Sequence, residues 1–462
     1  MTEPPRMASK RQGMVQRFAK SVYARFPREG RAWPLIKAVV GSLWLRLFGM
    51  ALGFLVGIQL ARGLGAAGYG VYGIAMSVVS LLLIPAEFGI PQLVVREMAG
   101  TGADPASDSP RAILHWSAEY VLATCVALGL ATVMIVHSGW FGLEPDLAHA
   151  IMYGLLLLPL AAMGNLMSAA LRGFHRIIDG QVVELLIRPA VASLLLFALA
   201  VFFGSGKLSA PLAMAINCIA ALLGAVYAFV RLWPMLVRSG KLPASAGRKK
   251  AWRRSALPLA LGDGMRIVSG QVGVLVLGAM ASNEEVGVYR VALGIYVVAT
   301  IPSALLNAAC SPMLARLNSE GDMRQMRRLN AWMALFLVLS AVACILPFAV
   351  AGGWIVGTVF GMEYASATPV LLVLLAGELM AATLGHPTIV LNMMRREGVV
   401  TQWSFLSLAL NLLLCWLLIP RMGAMGAGIG VGASQFLWRL AASRYAFRNF
   451  GLHTSLAAWL RE

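Results

Sequence analysis

Charge is scarce in this chain, and negative charge scarcest. Asp, Glu, Lys and Arg together make up 13% of the 462 residues, and only 20 residues are acidic. An ordinary water-soluble domain carries roughly twice that share of charge. Cysteine is also rare: Cys125, Cys218, Cys310, Cys344 and Cys415 show no C-x-x-C spacing, which excludes a disulfide framework and a thiolate metal site, so no metal is expected. All five fall in apolar stretches, where thiols serve as small packing groups. Long polar segments are missing as well. The longest cover residues 1–34, 93–112 and 232–256, too short for a separate soluble domain. The first 34 residues hold no continuous apolar core of a signal peptide, so the first apolar stretch is expected to act as its own signal.

What the chain has instead is apolar length. It is 59% hydrophobic with a mean hydropathy of +0.76. Twelve apolar runs recur, at 38–61, 69–92, 113–136, 148–171, 182–203, 209–231, 257–280, 286–309, 330–352, 367–392, 402–420 and 424–446. Each suffices, at about 1.5 Å per residue, to cross a hydrocarbon slab of about 30 Å. The reading is an all-α polytopic membrane protein of about twelve transmembrane helices. Within GMVQRFAKSVYARF, Val15, Phe18, Val22 and Phe26 fall at helical spacing and predict a short interfacial helix ahead of the first span.

The net charge of +18 suggests nucleic acid until the cations are placed. Of the 38 Lys and Arg, 31 lie on the side shared with the N-terminus; Arg62, Lys207, Arg290 and Arg421 are assigned to the other side, and Arg46, Arg188 and Arg266 lie within spans. That asymmetry puts both termini in the cytoplasm. The basic excess then serves topology and anionic headgroups, and no nucleic-acid partner is expected.

Two nucleotide-like motifs fail on context. GLGAAGYG at 63–70 fits G-x-G-x-x-G, but it joins two apolar spans, with no strand before it and no ribose-binding carboxylate after it. It predicts a tight inter-helix turn. AVFFGSGKLS at 200–209 has Ala200 and Leu208 where a phosphate loop needs Gly and Ser or Thr. No cofactor is expected.

The chain also repeats itself. VGIQLARGLGAAGYGVYGIAMSVVSLLLIP at 56–85 aligns with VGVLVLGAMASNEEVGVYRVALGIYVVATIP at 272–302 with one inserted residue, matching Gly70-Val71-Tyr72 to Gly287-Val288-Tyr289 and Pro85 to Pro302. LRGFHR near 176 and LNMMRR near 396 follow at a similar offset. Six spans per half keep the halves in one orientation, which implies two pseudo-symmetric six-helix lobes about an axis along the membrane normal, with a central cavity between them. The expected organisation is a basic segment 1–37, an N-lobe 38–235, a basic linker 236–256, a C-lobe 257–447 and a cytoplasmic tail 448–462. Gly49, Gly53 and Gly57, and Gly426, Gly428, Gly430 and Gly432, form strips of small residues that predict close helix packing. Pro85, Pro159, Pro302 and Pro387 interrupt spans as candidate hinges.

LARGLGAAGYGVYGIAMSVVSLLLIPAEFGIPQLVVREMA at 60–99 resembles the amino-terminal signature of the polysaccharide and O-antigen flippase family. That family is the lipid-linked oligosaccharide branch of the superfamily that includes the MATE exporters. NLLLCWLLIPRMGAMGAGIGVGASQ at 411–435 is similar to the family's last two helices, and the resemblance covers 38–447. It implies a flippase, not an enzyme and without catalytic residues, in a bacterial cytoplasmic membrane. The implied cargo is a polyprenyl-pyrophosphate-linked oligosaccharide moved by alternating access for polysaccharide biosynthesis. Membrane lipid, and a polysaccharide polymerase or glycosyltransferases, are the implied partners. The alternatives are a MATE-type ion-coupled exporter of drugs or metabolites, which favours acidic over basic cavity residues, and a membrane-bound glycan polymerase, which calls for a larger hydrophilic loop.

A pyrophosphate cargo needs cations in a wet cavity, since a charge in the hydrocarbon is costly. Arg46 lies about 12 Å along span one from its cytoplasmic end, and Arg266 sits at a similar depth on span seven. In the repeat register the two are near equivalents and are expected to face one another as a cationic floor. Arg188 is the third candidate. Glu184 and Asp263, at helical spacing from Arg188 and Arg266, offer ion pairs that would neutralise them, whereas Arg46 has no such partner. Glu378, Glu87 and His386 are the candidates for ion coupling, because a carboxylate that changes charge between states can tie a carrier to a gradient; Glu119 reads as merely solvated. Replacing Arg46 with Ala is expected to abolish export of lipid-linked glycan without lowering protein abundance. Normal surface glycan from Arg46→Ala cells would remove that role.

Overall fold

The computed structural model describes residues 32–100, 110–140, 142–204, 208–238, 246–452 and 454–456; the expected interfacial helix at 15–26 lies outside them. The chain runs through α1 (Ala32–Glu87), α2 (Ile90–Gly100), α3 (Pro110–His137), α4 (Pro145–Gly173) and α5 (Ile177–Val182). A π-helical turn, Val183–Ile187, leads into α6 (Arg188–Phe203), α7 (Ala210–Arg238), α8 (Ala246–Met280) and α9 (Asn283–Ala299). The second half continues with α10 (Ile301–Glu320), α11 (Met323–Phe360), α12 (Ala367–Ala382), α13 (Pro387–Met393), α14 (Glu397–Met422) and α15 (Ala424–Phe450). Among the described residues there is no strand.

Nine described helices are long and apolar enough to cross a membrane, or ten when the bent pair α12 and α13 counts as one span. Twelve crossings follow because α1 is two spans joined at Gly65, whose φ of 69° and ψ of 174° break the helix, a conformation that only glycine adopts freely. The motif at 63–70 is therefore a one-residue break between two spans, as its flanks indicated. The remaining crossing is α15, whose Arg439, Arg444 and Arg448 lower its hydropathy. Helix ends follow local chemistry. Ser282 caps α9 by accepting from the Glu285 N–H, with Glu284 and Glu285 in the first turn, which suits the positive end of the helix dipole. Asp322 caps α11 likewise, after Gly321 turns the chain in the left-handed region with φ of 71°. The prolines act unequally: Pro159 lies within an unbroken α4, whereas Pro387 opens α13 and Pro302 follows Thr300 at the start of α10.

Apolar side chains such as Leu130, Met134, Phe197, Phe202 and Trp416 are exposed, as expected of helices solvated by lipid rather than water. At the end of the molecule near Gly65, one apolar core is common to both halves and includes Leu60, Tyr69, Tyr72, Val286, Tyr289, Phe360 and Tyr364. Toward the terminal end the core divides. One cluster packs Ile90, Leu93, Trp116 and Leu158 with Trp252 of α8, and a separate one gathers Leu314, Met326, Met333 and Leu452 in the second half. The halves therefore share one core at the distal end, while toward the termini α8 stays packed on the first half and the rest of the second half keeps a core of its own.

The distal contact depends on two glycines. A Cβ on Gly70 would stand 1.8 Å from the Asn283 carbonyl oxygen, and one on Gly287 would stand 2.0 Å from that of Ala66. Both obstacles are backbone, so no rotamer relieves them. The small-residue strips divide in purpose: Gly426 packs on the Leu418 backbone and Gly432 on Gly377, but of the span-one strip only Gly49 meets a neighbouring helix, at Leu185. Gly53 has nothing within 4 Å and Gly57 only the Tyr69 hydroxyl at 3.8 Å, so these two leave space rather than close it. Gly70→Ala and Gly287→Ala are each expected to destabilise the protein by about 1–3 kcal/mol through overpacking, seen as a lower midpoint of thermal unfolding in detergent. Gly53→Ala is expected to leave that midpoint unchanged, and a shift as large as that of Gly70→Ala would contradict the assignment of the lobe seam.

Candidate functional site

Two confluent chambers open between α1 and α9 on the terminal side of the distal core. The larger, about 390 Å³, is walled by Leu47, Met50 and Phe54 of α1, Ile295 and Val298 of α9, and Pro347 and Phe348 of α11. The smaller, about 270 Å³, shares Met50, Phe54 and Val298 and adds Gly53, Gly57, Tyr69, Phe360 and Arg290. No Asp or Glu lines either chamber.

Arg290 is the cation of the smaller chamber. It lies seven residues into α9, and its Nη1 donates to the Gly73 carbonyl at 3.0 Å. Its guanidinium carbon stands 5.3 Å from the Tyr69 ring centre and 5.5 Å from that of Tyr72, within the range of cation–π attraction. The two rings are stacked, 6.2 Å apart and 11° from parallel. Tyr72 is fixed in turn by Asn217, whose Nδ2 donates to its hydroxyl at 3.1 Å. Among the described residues no carboxylate forms an ion pair with Arg290, so its charge faces the chamber uncompensated.

The distal side is sealed above this cation. Arg62 donates to the carbonyls of Thr358 and Val359, the latter at 2.9 Å, in the last turn of α11, where carbonyls lack intrahelical partners and the dipole is negative. Tyr364 donates to the Ala61 carbonyl at 2.9 Å; burial pushes the pKa of its hydroxyl up, so it remains a donor. Tyr364 meets Tyr69 edge-on at 6.4 Å, and Phe360 meets Phe54 at 5.6 Å.

The residues singled out from sequence fall at several places. Arg46 is exposed on α1, one turn before Met50 on the stripe that continues through Gly53 and Gly57, so it shares the chamber face. Arg266 lines a different opening, a polar cleft of about 200 Å³ between the α1–α2 junction, α4 and α8, together with Glu87, Asn165, Arg172, Glu184 and Asp263. Its Nη2 is 4.0 Å from Asp263 and its side chain is 77% exposed, while Gln92 donates to Asp263 at 3.0 Å. Arg266 thus lies in the polar cleft, whereas Arg46 is exposed on α1 near the chamber face.

Arg188 lies inside the first lobe, its Nη1 3.5 Å from Asn165 Oδ1, and Asn165 donates to Glu87 at 2.6 Å. The expected intrahelical pair with Glu184 gives way to Arg172–Glu184 at 3.6 Å. Each of the two turns to a partner on α4 instead, Glu184 to Arg172 and Arg188 to Asn165. Glu119 is exposed against His115 at 3.2 Å. Glu378 is buried, held by Arg439 at 3.2 Å and by the Tyr296 hydroxyl at 3.0 Å. This ties α9, α12 and α15 together, and a buried pair of this kind is costly to break. His386 stands at the N-cap position of α13 without a side-chain capping bond, its Nε2 buried and without a hydrogen-bond partner.

Sequence reasoning singles out neither Arg290 nor Arg439. Arg290 is counted there only among the four cations assigned to the distal side. The signal that finds it is the repeat register, which sets Arg290 against Gly73.

A profile of the family described as polysaccharide biosynthesis protein matches residues 36–318. The chain is 24% identical over 400 residues to the probable low-salt glycan biosynthesis flippase Agl15 of Haloferax volcanii, covering 84% of this chain and 78% of that one. Its fold is similar to the inward-facing conformation of a multidrug resistance MATE family transporter of the MOP superfamily, with a TM-score of 0.71 at 12% identity, over 89% of this chain and 98% of the other. An outward-facing MATE structure gives 0.58 at 12% identity, over 92% and 97%. With its family profile spanning more than half its length and its helices arranged as in MOP-superfamily transporters, this chain is a multi-pass membrane protein belonging to the polysaccharide biosynthesis protein family.

Proposed function

We propose that the protein is a flippase that moves a polyprenyl-pyrophosphate-linked oligosaccharide across the bacterial cytoplasmic membrane by alternating access, with both termini in the cytoplasm. The observation that carries this reading is Arg290: an uncompensated guanidinium at the blind end of a chamber whose other walls are apolar and which holds no carboxylate. A cationic drug would be repelled there, whereas a diphosphate is attracted. At an effective dielectric constant near 20, a unit pair at 4 Å gains about 4 kcal/mol, enough to orient a headgroup and small enough to release it. The apolar chamber between α1 and α9 suits a polyprenyl chain that stays in contact with lipid. Arg46, on the same face nearer the terminal end, supplies a first capture point for the headgroup. Kinship with a probable glycan flippase supports the same cargo class.

Closure of the distal side by Arg62, Phe360 and Tyr364 supports reading this arrangement as the cytoplasm-open state of the proposed cycle. Rocking the lobes would separate those contacts and expose Arg290 to the outer leaflet. Arg290→Ala is expected to lower export of surface glycan by roughly tenfold or more, the loss of about 1.4 kcal/mol or more of differential binding. Lipid-linked glycan should accumulate in the same cells, as read by mass spectrometry of the polyprenyl pool. Arg290→Lys should keep part of the activity, because it retains the charge but not the planar fork. Undiminished export by Arg290→Ala at normal abundance would refute the proposal.

A further inference from the structure

The internal repeat has a geometric consequence at Arg290. Because Gly70-Val71-Tyr72 matches Gly287-Val288-Tyr289, the next matched pair is Gly73 and Arg290. A two-fold operation exchanges the members of each matched pair, so a contact between residues i and j recurs between their counterparts. The lobe seam obeys this rule: Gly70 packs on Asn283, and their counterparts, Gly287 and Ala66, pack on each other. A residue that touches its own counterpart lies where the axis passes between them. Arg290 does so, since its Nη1 donates to the Gly73 carbonyl at 3.0 Å. A Cβ on Gly73 would stand only 2.1 Å from Arg290 Cδ.

We infer that Gly73 is a positioning residue: its missing side chain seats the guanidinium of Arg290 on the pseudo-two-fold axis, where one cation serves a diphosphate headgroup from either face of the membrane. The second clause rests on the flippase reading; the first does not. Symmetry explains why there is one arginine and not two, for a second guanidinium at position 73 would occupy the same volume and repel the first. Depth agrees with the assignment. Gly73 lies eight residues past the Gly65 break, about 12 Å along the helix, toward the middle of a slab about 30 Å thick. On one side of the guanidinium is the chamber, and on the other the distal core, closed by Tyr364 and by Arg62. The seat is completed by Tyr69 and Tyr72. Their counterparts are Val286 and Tyr289, so the second half would offer an arginine from position 73 one ring instead of two.

Two measurements test this on the full-length protein. The first is binding of glycan-free undecaprenyl diphosphate to the purified protein in nanodiscs. Arg290→Gly should weaken it about tenfold or more, Gly73→Ala about three- to tenfold by pushing the side chain from its seat, and the exchanged variant Gly73→Arg/Arg290→Gly should recover to within about fivefold of the unaltered chain. An exchanged variant that folds with an unaltered melting temperature yet binds no better than Arg290→Gly would overturn the seat. Should the exchange unfold the protein, Gly73→Ala decides, since undiminished affinity there is equally fatal. The second measurement needs no cargo. In a chain whose five native cysteines are replaced by serine, the pair Gly73→Cys/Arg290→Cys should be joined by a short bifunctional thiol reagent, with or without Arg62→Ala. Failure to crosslink overturns the axial seat whatever the protein carries, whereas crosslinking with no binding of undecaprenyl diphosphate by the unaltered chain overturns the cargo and leaves the seat standing.

Discussion

The approach of two helices at bare backbone holds the rest in place. Where α1 and α9 cross, Gly70 and Gly287 each meet a carbonyl of the opposite half at a distance that admits no side chain. In lipid there is little hydrophobic gain from bringing helices together, so contact area and close packing carry the association. A seam of this kind brings the two halves to one axis near the distal end, and toward the termini only α8 keeps the second half packed on the first, the remaining cores being separate. The chamber is the space this leaves. Gly53 and Gly57, on the same helix, enlarge it.

Charge within the span region sorts by whether it is answered. Glu378 and Arg439 neutralise each other, and their network links three helices of the second lobe. Arg188 shares Asn165 with Glu87 inside the first lobe. Asp263 and Arg266 remain partners at a polar cleft. Arg290 alone among these is countered by a carbonyl and two ring faces, which orient a guanidinium without cancelling its charge. Unanswered charge in a low-dielectric chamber acts strongly on an anion, and this difference separates a binding group from a brace.

Much of this was legible beforehand. Twelve apolar stretches, the duplicated segment and the failure of GLGAAGYG as a nucleotide loop all follow from composition and local pattern. The pairing of Arg188 was not, because Asn165 and Arg172 of a neighbouring helix take up Arg188 and Glu184, and helical spacing within one segment does not report them. Glu378 reads from sequence as a group free to change charge; its counter-ion lies 61 residues away on another helix. The strip Gly49, Gly53, Gly57 looks uniform in sequence, yet only its first member packs against a helix.

By itself the sequence determined that the chain is helical, spans a membrane many times and consists of two related halves, since hydropathy and repetition are properties of segments and need no knowledge of neighbours. Which arginine stands in the chamber was decided only by tertiary structure. Arg46, Arg188, Arg266 and Arg290 are chemically alike. They differ in what lies within a few ångströms, and for Arg290 those neighbours come from a helix crossing with residues more than two hundred positions away.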